Sequence, residues 1–167
     1  MPTVRPALEA DLPAMLDIYN DIILHTTAVY SYDPHTLDMR KAWFEEKQAT
    51  GNPVFVATEG AQIVGFSSYG PFRPWAAYQF TVENSVYVKA EERGKGIGKL
   101  LIPPLIRHAR EKGLHVMIAS IDASNEASLN LHRSFGFKQV AHFREVGFKF
   151  DRWLDLTFLE LILYTIK

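Results

Sequence analysis

Residues Arg93-Gly94-Lys95-Gly96-Ile97-Gly98 join an apolar extended run, Ser85-Val86-Tyr87-Val88, to an apolar helical stretch. This junction constrains the fold more than any other part of the chain. Glycines at 94, 96 and 98 permit backbone conformations that side chains exclude. A glycine-rich turn at a helix start leaves several N–H groups without an intrahelical partner. Those donors and the positive end of the helix dipole favour an anion, above all a phosphate. On the glycines alone, a tight turn with no ligand stays an equally open reading.

Two common phosphate motifs fail on spacing. No Gly-x-x-x-x-Gly-Lys-Ser/Thr string occurs. A Gly-x-Gly-x-x-Gly fingerprint starting at Gly94 would need a glycine where Lys99 stands.

The rest of the chain narrows the class. A length of 167 residues suits one domain with a proper core, here taken as residues 1–167. Lys and Arg number 18 against 19 Asp and Glu, so bulk charge supports neither a nucleic-acid nor a membrane partner. There is no cysteine, which excludes disulfides, thiolate metal sites and a cysteine nucleophile. The six histidines show no metal-ligand spacing, so no metal is expected. Met1-Pro2-Thr3-Val4-Arg5-Pro6 lacks the apolar core of a signal peptide, which makes the cytoplasm the default location.

Periodicity predicts a mixed order of helices and strands. Asp11 is placed to cap a helix carrying Leu12, Met15, Leu16 and Tyr19. A second helix is predicted from Thr36 to Gln48, ended by Gly51-Asn52-Pro53. Val54–Ala57 and Ile63–Tyr69 read as a hairpin, and Phe80–Val88 as a further strand. Ile97, Leu101, Leu105 and Ala109 mark the helix after the glycine turn, and Pro103-Pro104 predicts a kink or break within it. A strand at Val116–Ile121, a helix at Asn125–Ser134, and strands at Gln139–Arg144 and Leu154–Leu163 complete one α/β domain.

Arg93-x-x-Gly96-x-Gly98 after a Val-x-Val strand resembles the pyrophosphate loop of the GCN5-related N-acetyltransferase (GNAT) superfamily. Asn125-Glu126-Ala127-Ser128-Leu129-Asn130-Leu131-His132-Arg133-Ser134-Phe135-Gly136-Phe137 resembles its second CoA-contacting helix. Thr81-Val82-Glu83-Asn84-Ser85-Val86-Tyr87-Val88, Tyr19-Asn20-Asp21, Gly147-Phe148-Lys149 and Arg152-Trp153-Leu154-Asp155 are similar to the phosphinothricin and methionine sulfoximine N-acetyltransferases. Arg73-Pro74-Trp75 points to the methionine sulfoximine/sulfone branch.

The resemblance implies a GNAT fold: a mostly antiparallel, twisted sheet of about six to seven strands, flanked by helices and splayed near its middle. It implies acetyl-CoA as co-substrate, a small amine as acceptor and a homodimer. The apolar strand Leu156–Leu163 is compatible with that dimer. Cofactor contacts would come from Val86, Tyr87 and Val88, from Arg93, Gly94, Lys95, Gly96, Ile97, Gly98 and Lys99, and from Asn125 and Ser134. Lys99 also reads as a solvated helix charge, and Asn125 caps its helix whether or not CoA binds.

Acyl transfer to an amine requires removal of a proton, stabilisation of an oxyanion and departure of a thiolate. Glu83 is the implied general base, and the Val88 N–H the implied oxyanion donor. His132 stands where many superfamily members carry a tyrosine acid. It is a candidate acid and equally a packed helix residue, with Tyr87 as the other candidate. Arg73 suits a substrate carboxylate, with Pro74, Trp75, Glu83, Asn84 and Ser85 beside it. Trp75, Tyr78 and Phe80 would line a slot for a methionine-like side chain, and Tyr30 and Lys149 are further acceptor-side candidates.

The expected activity is acetyl transfer to the α-amine of methionine sulfoximine, methionine sulfone or phosphinothricin. Two alternatives remain at this point: acetylation of a polyamine, aminoglycoside or protein N-terminus, and a non-catalytic acyl-CoA-binding module.

Overall fold

The computed structural model describes residues 1–164. Its strands are β1 (Thr3–Pro6), β2 (Val54–Glu59), β3 (Gln62–Pro71), β4 (Thr81–Val88), β5 (Val116–Asp122), β6 (Lys138–Lys149) and β7 (Arg152–Ile162). All seven join one sheet in the order β1-β2-β3-β4-β5-β7-β6. Every neighbouring pair is antiparallel except β4 and β5. The helices are α1 (Leu12–His25), α2 (Leu37–Thr50), α3 (Ile97–Glu111) and α4 (Glu126–Arg133). Among the described residues no helix is long and apolar enough to cross a membrane.

Period-two alternation divides β4 between two cores. Tyr87 packs with α1 and α2 through Met15, Ile22 and Phe44, and with Phe66 of β3. Val82 and Val86 turn to the opposite face and pack with α3 and α4 through Ile102, Leu105 and Leu129. Glu83 and Ser85 share the Tyr87 face by the same alternation, and Asn84 shares the other.

Several local expectations change in the tertiary structure. Pro103 and Pro104 do not break α3, which is helical from Ile97 to Glu111. Proline removes the bonds to the carbonyls four residues back, here those of Lys99 and Leu100, at about 3 kcal/mol each. Both residues are exposed, so water can reach those carbonyls. Leu101, Ile102, Leu105, Ile106 and Ala109 are buried on both sides of the pair, and that packing holds the helix together.

Asp11 does not cap α1 with its side chain. Its carboxylate instead accepts the Arg5 fork at 2.6 and 2.9 Å and the Leu8 N–H at 2.8 Å. The short strand β1, which alternation did not reveal, is thereby tied to the start of α1. Strand β6 runs past Arg144 to Lys149, through an irregularity between Phe143 and Gly147. Phe150 and Asp151 close the hairpin with φ values of 53° and 55°. Strand β7 lies between β5 and β6, so both its edges are paired and the outer edge belongs to β6.

Arg5 holds the Asp11 carboxyl below its usual value of 3.8, chiefly by direct hydrogen bonding. A depressed carboxyl stabilises the fold above the unfolded-state value and loses that contribution as pH falls through the folded-state value. Asp11→Asn should therefore destabilise the protein by about 1 kcal/mol at pH 7, and by less at a pH well under the ordinary value of 3.8. Urea midpoints at the two pH values check this.

Candidate active site

Strands β4 and β5 pair only from Thr81↔Val116 to Glu83↔Ile118. Beyond that point β4 stays on β3 as far as Val88↔Gly65, and β5 stays on β7 as far as Asp122↔Leu156. The sheet therefore parts immediately after Glu83. The Lys89 N–H donates to the Val64 carbonyl on the β3 side at 2.9 Å. Backbone groups alternate sides along a strand, so Asn84, Val86 and Val88 direct theirs into the parting.

A cleft of about 850 Å³ fills the parting. Val86, Tyr87 and Val88 line one wall, and Asn125, Ser128, Leu131 and Ser134 line the other. Arg93, Gly94, Gly96, Ile97, Gly98 and Lys99 line its end. Gly94 and Gly96 adopt φ values of 77° and 84°, which glycine accepts without strain. A Cβ on Gly98 would lie 2.7 Å from Leu131 Cδ2, so a larger residue there would require the Leu131 side chain to move. The amides of Gly94, Lys95 and Gly96 have no hydrogen-bond partner among the described residues, and those of Ile97 and Gly98 lie in the first helical turn. Open amides at a helix start, at the end of a long cleft, have the chemistry to hold an anion.

The other predicted cofactor side chains are placed as follows. Arg93 Nε donates to the Val88 carbonyl at 3.2 Å and so ties the turn to the end of β4. Asn125 Oδ1 accepts the Ser128 N–H at 3.2 Å, capping α4, while the residue also borders the cleft. Ser134 Oγ donates to the Leu131 carbonyl at 2.6 Å. The Lys95 side chain lies outside the cleft lining and pairs with Glu92 at 2.9 Å.

A second cavity of about 380 Å³ adjoins the cleft through Val86, Tyr87, Asn125 and Ser128. Glu83, Asn84, Ser85 and Arg73 line it together. The Ser120 hydroxyl, from β5, donates to Glu83 Oε1 across the start of the parting. Arg73 stacks on the Phe72 ring at 4.2 Å and donates to the Phe72 carbonyl at 2.8 Å. Pro74 and Trp75 are exposed and stand outside the lining, as do Tyr78 and Phe80. Leu156 and Phe158 of β7 supply the apolar wall instead.

The two candidate acids have distinct environments. His132 is 3% exposed. Its Nδ1 lies 2.8 Å from the Ser128 carbonyl and must carry the proton, because a carbonyl only accepts. Its Nε2 then accepts from Asn84 Nδ2 at 3.2 Å. Burial lowers its pKa, so the ring is neutral with both nitrogens engaged. Tyr87 is pushed up to about 12, chiefly by burial, and keeps its hydroxyl proton at neutral pH.

Tyr30 lines the second cavity and donates to Asp122 Oδ2 at 2.9 Å. Lys149 lies elsewhere. Its ammonium is buried and donates to the carbonyls of Ile23, Thr26 and Val29 at 2.6, 2.8 and 2.8 Å. It thus shapes the segment after α1, whose Ala28 borders both cavities. Ser120, Asp122, Leu156 and Phe158 were not singled out from the sequence. Strand alternation marks them only as strand residues, and their convergence depends on which strands are neighbours.

A sheet parted at its middle, with open amides along the parting and a glycine-rich helix start at its end, is here the architecture of an N-acetyltransferase. The chain belongs to the acetyltransferase (GNAT) family, whose model matches residues 13–137. It is 47% identical over 160 residues to an L-methionine sulfoximine/L-methionine sulfone acetyltransferase of Pseudomonas aeruginosa, covering 95% of this chain and 93% of that one. An N-acetyltransferase from Staphylococcus aureus Mu50 superimposes with a TM-score of 0.97 at 52% identity, covering 98% and 99% of the two chains. A phosphinothricin acetyltransferase from Sinorhizobium meliloti, solved in complex with acetyl-CoA, superimposes with a TM-score of 0.94 at 34% identity, covering 96% and 88%.

The His132 geometry makes a spectroscopic prediction. Its folded-state pKa is depressed, so the unfolded chain takes up a proton first as pH falls through about 6.5. Native His132 should remain neutral, protonated at Nδ1, below pH 6.5 in a ¹⁵N imidazole titration. An imidazolium at pH 7 would contradict this assignment.

Proposed function

We propose that this protein transfers the acetyl group of acetyl-CoA to the α-amine of small amino-acid analogues such as methionine sulfoximine, methionine sulfone and phosphinothricin. The reading rests above all on one observation: Glu83 stands where the sheet parts, facing the acceptor cavity, beside the open amides of the acyl-CoA cleft. Relatives that act on these compounds match almost the full length of the chain.

Bound acetyl-CoA supplies the activated thioester. The amides of Gly94–Gly98 and the Asn125 side chain hold its pyrophosphate and pantetheine portions. Glu83 takes a proton from the acceptor ammonium, directly or through one water. Ser120 holds Oε1 of that carboxylate and leaves Oε2 for the amine. The Val88 N–H donates to the carbonyl oxygen as charge develops on it. Tyr87, still protonated, is the better placed donor to the departing thiolate. His132 is a positioning residue: it fixes Asn84 and joins α4 to β4. Arg73 at the acceptor cavity favours a carboxylate-bearing acceptor over a polyamine. Acetyl-CoA is available in the cytoplasm, which is the proposed place of action.

The partner proposed for this chain is a second copy of itself. Val140, Phe143, Val146 and Phe148 are exposed along the edge strand β6, with Phe150 and Trp153 beside them. An exposed apolar edge of this kind calls for cover.

Two measurements test these readings. Released CoA can be followed with a thiol reagent without protein background, since the chain has no cysteine. Methionine sulfoximine and sulfone should turn over faster than spermidine, and Glu83→Gln should lower kcat roughly 10²- to 10⁴-fold. Full activity in Glu83→Gln would remove the base assignment. Light scattering should give a dimer mass for the unsubstituted chain and a monomer for Phe143→Asp/Val146→Asp.

A further inference from the structure

Helix α2 presents two cations to the sheet. Leu37, Arg40, Phe44 and Lys47 recur at spacings of three and four, which places them on one helical face. Arg40 is only 3% exposed. Its guanidinium carbon lies 4.3 Å from the Tyr19 ring centroid and 4.6 Å from that of Trp43. Such stacking satisfies the faces of the guanidinium but not the N–H groups in its plane. Arg40 Nε is fully buried and has no hydrogen-bond partner. Lys47 Nζ donates one of its protons to the Tyr69 carbonyl at 2.8 Å. Among the described residues, no carboxylate lies within ion-pair distance of either cation.

A cavity of about 210 Å³ opens between these cations and the sheet, with the Ser68 and Ser85 hydroxyls on its wall. Ser85 and Tyr87 border both this cavity and the acceptor cavity, so the two flank the same stretch of β4. A buried charge without a partner is costly, and a buried guanidinium edge without an acceptor adds to that cost. An anion in the cavity offsets the two charges, meeting the terminal guanidinium nitrogens of Arg40 and the Lys47 ammonium. The planar fork of arginine suits a carboxylate, and the Tyr19, Trp43 and Phe66 rings suit a short carbon chain.

We propose that the Arg40–Lys47 cavity is a carboxylate-binding site, separate from the Arg73 mouth of the acceptor cavity. Its ligand is either the carboxylate of an acceptor reaching past Tyr87 or a free short-chain carboxylate. Occupancy does not depend on the acetylation reading; only the source of the carboxylate does.

The test uses the full chain with Trp75→Phe and Trp153→Phe, which leaves Trp43 as the sole tryptophan reporter. Sodium acetate is the probe, with sodium chloride at equal ionic strength as control. Acetate should change Trp43 emission saturably and raise Tm, and chloride should do neither. Adding Arg40→Met, which replaces a buried cation by an apolar side chain of similar length, should weaken the acetate response at least tenfold. Arg40→Lys, which keeps charge but loses the fork, should fall between. An unsaturable response common to both salts, or an unchanged response in Arg40→Met, would overturn the proposal. Kinetics with the unsubstituted chain then assign the source. Competition between acetate and the acceptor, with a roughly tenfold higher acceptor KM in Arg40→Met and little change in kcat, identifies the acceptor's own carboxylate. Saturable acetate binding without competition identifies a free one.

Discussion

The separation of β4 from β5 after Glu83 is the constraint on which the rest of the structure depends. A continuous ladder would satisfy the backbone of Asn84, Val86 and Val88 within the sheet and leave no room for a ligand. Ending the ladder there costs hydrogen bonds that a bound thioester can restore. Each strand keeps its other edge paired, β4 on β3 and β5 on β7, so the sheet opens without coming apart. Ser120–Glu83 and His132–Asn84 join the two halves where they diverge.

The two faces of β4 divide the chemistry. Val86 and Val88 root the strand in the core beneath α3, which fixes the backbone that borders the cleft. Glu83, Ser85 and Tyr87 face the α1–α2 side, where the cavity beside Glu83 and the Arg40 cavity lie. Lys149 supports this side from a distance, since its three carbonyl bonds hold the segment after α1 against the β6–β7 hairpin. Its positive charge is met by those carbonyl dipoles and by the Phe150 ring, 5.1 Å away, so a neutral side chain there would leave the carbonyls short of donors.

Local rules reached different depths along the chain. The glycine turn was legible because φ above zero and open helix amides are local properties, and Gly94 and Gly96 adopt the conformation their type permits. Asn125 was legible as a cap for the same reason. The proline pair in α3 misled, because the penalty is local while the compensation comes from the buried side chains that flank it on both sides. Asp11 misled because its nearest strong donor is the guanidinium of Arg5, reached through the turn rather than along a helix.

By itself the sequence determined the order of most elements, the glycine turn before α3, the Asn125 cap and the family. These follow from backbone geometry and from motifs contained in short windows. Only the tertiary structure decided that Leu156 and Phe158 wall the cavity beside Glu83, that His132 has both nitrogens engaged, and that Arg40 sits in the core without a counter-charge. Each of those facts joins residues far apart in the chain. Their contacts are set by strand order and helix packing, which no local window contains.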